Sequence, residues 1–306
     1  MVWGNGSYAA KEKQSRGHSR FAAAVACGAV LLVPLLIAIR AEALVAAGLD
    51  DPPRYAAVVV MLVGEGKLCS ATKIGTYRFL TAAHCVADTS TGAVASAFAV
   101  GRPIQVSNAV APARRDFLLL HLERADLHPD FKLALEHFYE YKEKVITGYR
   151  ERYQDVDLEL RIRKIESDNR FTSSHPDLAV VTVRERTPGI PNAEIDFEPL
   201  KAEDQVNLVG YGCEAGQDVA PVSKYGRRRW GETRVIRIDP VNFYTFAHQM
   251  RTGAPSLCPG DSGGPVMREG KVVGVHGTVY GLSDKLGARS NMSVNLTDYK
   301  DWPLLR

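Results

Sequence analysis

A serine set among glycines in CPGDSGGP (Cys258 to Pro265) and a histidine far upstream in TAAHC (Thr81 to Cys85) constrain this chain more than any other feature. A hydroxyl is too weak a nucleophile at neutral pH to attack an amide unless a positioned imidazole takes its proton. Ser262 and His84 suit those two roles, so the fold has to bring two distant halves of the chain together. The oxyanion that forms on attack needs backbone N–H donors, and Gly260 lets the main chain approach without a Cβ in the way. Gly260 and Ser262 are the expected donors.

Taken in order, these boxes resemble those of the chymotrypsin-like serine endopeptidases of the trypsin family. TAAHC is similar to the histidine box, GDSGGP to the serine box, and LVGYG (Leu208 to Gly212) to the strand that opens the second barrel. VNLTDYKDW (Val294 to Trp302) resembles the family's C-terminal helix, with Thr297 as its N-cap and Asp298 in its first turn. The likeness spans residues 44 to 306. It implies an all-β chain of two antiparallel six-stranded β-barrels, a cleft between them, and acyl-enzyme chemistry on a protein or peptide substrate with no cofactor and no metal.

Two segments read as an aspartate followed by an apolar strand, DFLLLHL from Asp116 and DLAVVTV from Asp177. Asp177 lies 33 positions before Gly210 and Asp116 lies 94 before it. The shorter interval suits one hairpin and a crossover between barrels, so Asp177 is the expected partner of His84 Nδ1–H. Gly260-Asp261-Ser262-Gly263-Gly264 also fits the G-x-S-x-G elbow of α/β-hydrolases. Chain order rejects that reading: those enzymes run Ser, acid, His, whereas here the order is His84, Asp177, Ser262.

A hydrophobic fraction of 45% and a net charge of +3 suit a globular enzyme and argue against a nucleic-acid partner. The run Arg227-Arg228-Arg229 reads as a solvated loop. The resemblance implies a Cys69–Cys85 disulfide, and Cys213 and Cys258 remain to pair. Adjacent His84 and Cys85 do not have zinc-ligand spacing. Disulfides imply an oxidising compartment. The N-terminal region agrees, since four basic residues before position 21 precede an uncharged stretch, residues 21–39, that contains the leftover Cys27. As a helix it would span roughly 29 Å, about one bilayer core. Ala41-Glu42-Ala43 has the shape of a cleavage site, so residues 1–43 read as a membrane anchor or a cleaved signal. Either way the catalytic part is extracytoplasmic, secreted or periplasmic, and tethered if the segment stays.

Residues 44–190 are expected to form the first barrel and 191–306 the second. Ala56 to Val63 and Val206 to Tyr211 read as buried strands. Val156, Leu158, Leu160 and Ile162 alternate with charges, a period-2 pattern that predicts a strand. Before it, Phe138, Tyr141, Val145 and Tyr149 recur at helical spacing, which predicts a helical insertion over about residues 125–155.

By the resemblance, Ser256 lies at the base of the primary specificity pocket, without the acid that selects Arg or Lys, and His276 lies near it. In the family, a freed apolar N-terminus pairs with the aspartate before the nucleophile, here Asp261. Cleavage after Ala43 would expose Leu44, whose ammonium would offset burial of that carboxylate.

Overall fold

The computed structural model describes residues 47–63, 67–88, 92–166, 176–212, 226–247, 253–281 and 289–306. In chain order the elements are β1 (Gly48–Leu49), β2 (Val58–Val63), β3 (Lys67–Lys73), β4 (Arg78–Thr81), α1 (Ala83–Val86), β5 (Ala87–Asp88), β6 (Ala93–Val94), β7 (Pro103–Ser107), β8 (Leu118–Leu127), α2 (Pro129–Arg152), α3 (Asp155–Glu166) and β9 (Ala179–Val183). The second half adds β10 (Gln205–Gly210), β11 (Arg229–Ile238), β12 (Asn242–Phe246), β13 (Pro265–Arg268), β14 (Lys271–Gly281) and β15 (Arg289–Asn295).

Two closed antiparallel barrels result. The first runs β2-β3-β4-β9-β8-β7 and closes by β7 on β2. In the second, β11-β10-β13-β14-β15-β12 closes by β12 on β11. β2 and β9 are buried on both faces, which is why VVVM and AVVTV read as continuous branched runs and not as alternating ones. One apolar core spans the seam, joining Val59 and Val181 of the first barrel to Val209 and Val275 of the second.

The termini cross over. β1 precedes the first barrel yet pairs with β11 of the second, Gly48 opposite Trp230, and Ala47 packs into the second barrel's own core. The last residues return to the first barrel, where Arg78 donates to the Leu304 carbonyl at 3.0 Å. Tyr299 and Trp302 pack edge-on against His128, each with ring centroids 4.9 Å away. The expected C-terminal helix is two short 3-10 turns, Thr297–Tyr299 and Pro303–Leu305, and Leu296, not Thr297, is the residue before the first. Pro303 bars Trp302 from helical geometry and stops propagation.

The helical insertion is present and longer than expected. α2 starts at Pro129, with His128 as a cap that accepts from Asp130 N–H at 3.3 Å. Its inner face is Phe131, Ala134, Leu135 and Ile146, while Tyr141 is exposed. Residues 156–162 are not a strand but part of α3. The alternation of charge that suggested a strand also places opposite charges four apart, so Asp157 pairs with Arg161 and Glu159 with Arg163, on opposite sides of the helix. Val156 and Leu160 stay exposed, with no sheet to cover them.

The arginine run is also corrected. Only Arg227 is exposed, and Arg228 and Arg229 are buried. Asp50 supplies the reason: its carboxylate accepts from Arg228 Nε at 2.7 Å, and neither side chain is exposed. The uncharged stretch 21–39, with Cys27, lies outside the described residues, and among those described no helix is long and apolar enough to cross a membrane.

Candidate active site

His84 sits on the one-turn helix α1 directly after β4, and Asp177 lies two residues before β9. β4 and β9 are paired with Thr81 opposite Ala179, so the sheet register alone brings both side chains to one end of the first barrel. The Asp177 carboxylate accepts twice from His84, at 2.8 Å from the backbone N–H and at 2.6 Å from Nδ1. It is 1% exposed, against 27% for the histidine. An ionised carboxylate only accepts, so Nδ1 carries the proton and Nε2 is the nitrogen able to take another. Asp116 is elsewhere, in a 3-10 turn where it accepts from Ala113 N–H at 2.7 Å.

Ser262 lies in the tight loop between Cys258 and Pro265. Asp261 N–H donates to the Cys258 carbonyl at 3.0 Å, and Gly264 N–H to that of Asp261 at 2.9 Å. The loop is docked on both sides: Ser70 N–H of β3 donates to the Ser262 carbonyl at 2.8 Å, and Gly263 N–H to the His276 carbonyl of β14 at 2.9 Å. Gly260 and Gly263 have φ of +100° and +81°, and a Cβ on Gly263 would lie 2.1 Å from Thr81 Oγ1. A Cys69–Cys85 disulfide joins β3 to α1. Its Cys85 sulfur lies 4.0 Å from His84 Nε2 and 3.7 Å from the Ser262 carbonyl, so histidine and serine flank one atom.

Asp261 is fully buried, and burial pushes its carboxyl up to about 7 against the opposing pull of Gly212 N–H, Cys258 N–H and Arg229. Those two amides reach it at 2.8 Å and 3.0 Å. Leu44, expected as its partner, lies outside the described residues, as does Cys213; Cys258 is disulfide-bonded.

Ser256 and His276 are both buried. The His276 ring rests against Gly264 and its Nδ1 is 3.3 Å from Ser293 Oγ. Burial holds the imidazole down to about 3, so it is neutral at working pH. Beside Ser256, Asn291 braces the segment by accepting from Leu257 N–H at 2.8 Å and donating to the Pro255 and Phe246 carbonyls at 2.8 Å each. No sequence signal marked Asn291, nor Ser70, whose only hint is a polar residue at the centre of an apolar strand. Among the described residues no group of His, Cys, Asp and Glu could hold a metal ion.

The Ser262 loop with its glycines and the His84–Asp177 pair form an arrangement suited to acyl transfer. A family model described as Trypsin matches residues 135–303. Among solved structures, the chain is similar to neuropsin, a serine protease expressed in the limbic system of mouse brain. Identity is 14%, the TM-score is 0.52, and the match covers 82% of this chain and 94% of that one. It is also similar to a mutant of human heparin binding protein (CAP37), at 14% identity and a TM-score of 0.53 over 82% and 91% of the two chains. At that identity the likeness is one of fold. No curated protein sequence matches the chain.

Proposed function

The chain belongs to the trypsin family, and on that premise we propose that it is an extracytoplasmic serine endopeptidase with His84, Asp177 and Ser262 as its triad. The carrying observation is the pair of hydrogen bonds from His84 to the buried Asp177 carboxylate, beside the Ser262 loop. Ser262 Oγ attacks the scissile carbonyl while His84 Nε2 takes its proton, and Asp177 stabilises the imidazolium. Gly260 and Ser262 N–H groups receive the oxyanion. The imidazolium then protonates the leaving amine, and water repeats the sequence on the acyl-enzyme.

Ser256 brings no charge to the pocket base, so cleavage after Arg or Lys is disfavoured, and the neutral, fully buried His276 adds none. A peptide-library profile dominated by Arg and Lys would refute this. The rival reading is a protease-fold binding module without catalysis. Fluorophosphonate labelling with intact-mass detection separates the two: one adduct on the wild type and none on Ser262→Ala supports the endopeptidase, and an unlabelled wild type supports the module.

A further inference from the structure

Ser70 is fully buried on β3 and is bonded through all of its polar atoms. Its carbonyl accepts from Thr81 Oγ1 at 2.9 Å, at the turn into the His84 helix. Its N–H donates to the Ser262 carbonyl at 2.8 Å. Its hydroxyl accepts from Tyr211 N–H at 2.9 Å and donates to the Gly260 carbonyl at 2.8 Å. One small side chain thus ties the first barrel, the end of β10 and the nucleophile loop together.

We propose that Ser70 is a positioning residue that holds the Ser262 N–H in place as an oxyanion donor. Gly260, without a Cβ, has many backbone orientations open to it, and each turns the peptides that follow it differently. Pinning its carbonyl fixes the 260–261 peptide plane. The neighbouring carbonyl at Ser262 is pinned by the same residue, so the 261–262 peptide that carries the Ser262 N–H is held between two planes fixed to one rigid strand. Tyr211 N–H, Ser70 O–H and the Gly260 carbonyl form a chain in which each bond polarises the next, away from water. Nothing in the backbone pairing of β3 with β4 requires this hydroxyl: Thr72 and Lys73 make that ladder.

The proposal rests on the endopeptidase reading, and the test keeps the two apart. If the wild-type protein takes no fluorophosphonate, the enzyme reading fails first and this one with it. Given labelling, Ser70→Ala and Ser70→Gly are compared with Ser70→Thr, using p-nitrophenyl acetate turnover and inhibition by phenylboronic acid, whose serine adduct is tetrahedral. The hydroxyl-free variants should lose about 10- to 100-fold in kcat with little change in KM, and the phenylboronate Ki should rise by a similar factor. Ser70→Gly adds no atoms and serves as the reading if Ser70→Ala does not accumulate. Ser70→Thr keeps the hydroxyl and should retain most of both. Lower thermal stability with kcat and Ki unchanged would make Ser70 merely structural and overturn the proposal. Equal losses in all three variants would also overturn it, because the effect would then be one of packing.

Discussion

At the seam between the barrels, Arg228 and Asp50 pair at 2.7 Å with neither side chain exposed, whereas on α3 Arg161 pairs with Asp157 at 3.0 Å with the side chains 40% and 58% exposed. The same two residue types perform different physical work. The seam pair has lost its water and is compensated by protein groups at every polar side-chain atom but Arg228 Nη2. Arg228 Nη1 also reaches the carbonyls of Val58 and Asn108 and the Tyr211 hydroxyl, while Asp50 takes the amides of Arg54 and Tyr55. Removing one member leaves a stranded charge. The α3 pairs keep their solvent, and each is nearly dispensable. Function follows that division: Tyr211, held by Arg228 through its hydroxyl, is the residue whose amide meets Ser70 behind the Ser262 loop.

The sharpest break in this picture is the buried Asp177 carboxylate of the proposed triad. Asp177→Asn should lower turnover by roughly four orders of magnitude, because an amide in place of the carboxylate favours the wrong imidazole tautomer. Asp116→Asn, which only opens a turn, should change turnover less than twofold. Steady-state kinetics on one ester substrate would decide, and the reverse pattern would remove Asp177 from the site.

Next in size is the seam. Arg228→Met should destabilise the fold by about 3–5 kcal/mol in denaturant melts, since it strands the Asp50 carboxylate. Adding Asp50→Leu should recover much of that loss. If the double variant were no better than the single one, Arg228 would act through its carbonyl contacts instead.

These two cases also show what was legible in the sequence. The barrels and the meeting of His84 with Asp177 could be read because they depend on local boxes, on chain order and on apolar runs. Arg228 was not, because its burial is decided by Asp50, 178 positions away. The helix α3 was misread as a strand since charges alternating singly and charges opposed at four residues coincide in this segment, and only the missing sheet partner separates them. Ser70 could not be marked from composition at all: its role comes from the groups that three distant segments aim at it.

A third comparison concerns pH. The Asp261 carboxyl is raised to about 7, so the folded state holds a proton that the unfolded chain has already released near pH 4. Stability from this residue is therefore full below pH 4 and falls as pH rises to about 7. His276, lowered to about 3, tilts the other way: its contribution is lost as pH drops from 6.5 to 3. The stability difference between wild type and Asp261→Asn isolates the first slope, and it should shrink from pH 4 to 7. A mature protein starting at Leu44, with its ammonium against Asp261, would abolish the slope. N-terminal mass spectrometry of active protein should be read beside the melts.

The smallest effect is expected on α3, and its size matters because the seam argument depends on the contrast. Glu159→Gln with Arg163→Gln removes one solvated i,i+4 pair and leaves α3 its other pair, Arg161 with Asp157, and the stacking of Arg161 over Tyr153 at 3.9 Å. Surface pairs of this kind gain little Coulomb energy against the entropy of holding two long side chains. The melting temperature should therefore move by no more than about 2 °C, and ester turnover should not change. Repeating the melt in high salt should leave even that shift smaller, because exposed charges are screened while the Arg228–Asp50 pair is not. A loss as large as that of Arg228→Met would mean that α3 braces the barrel, and exposure would no longer separate the two regions.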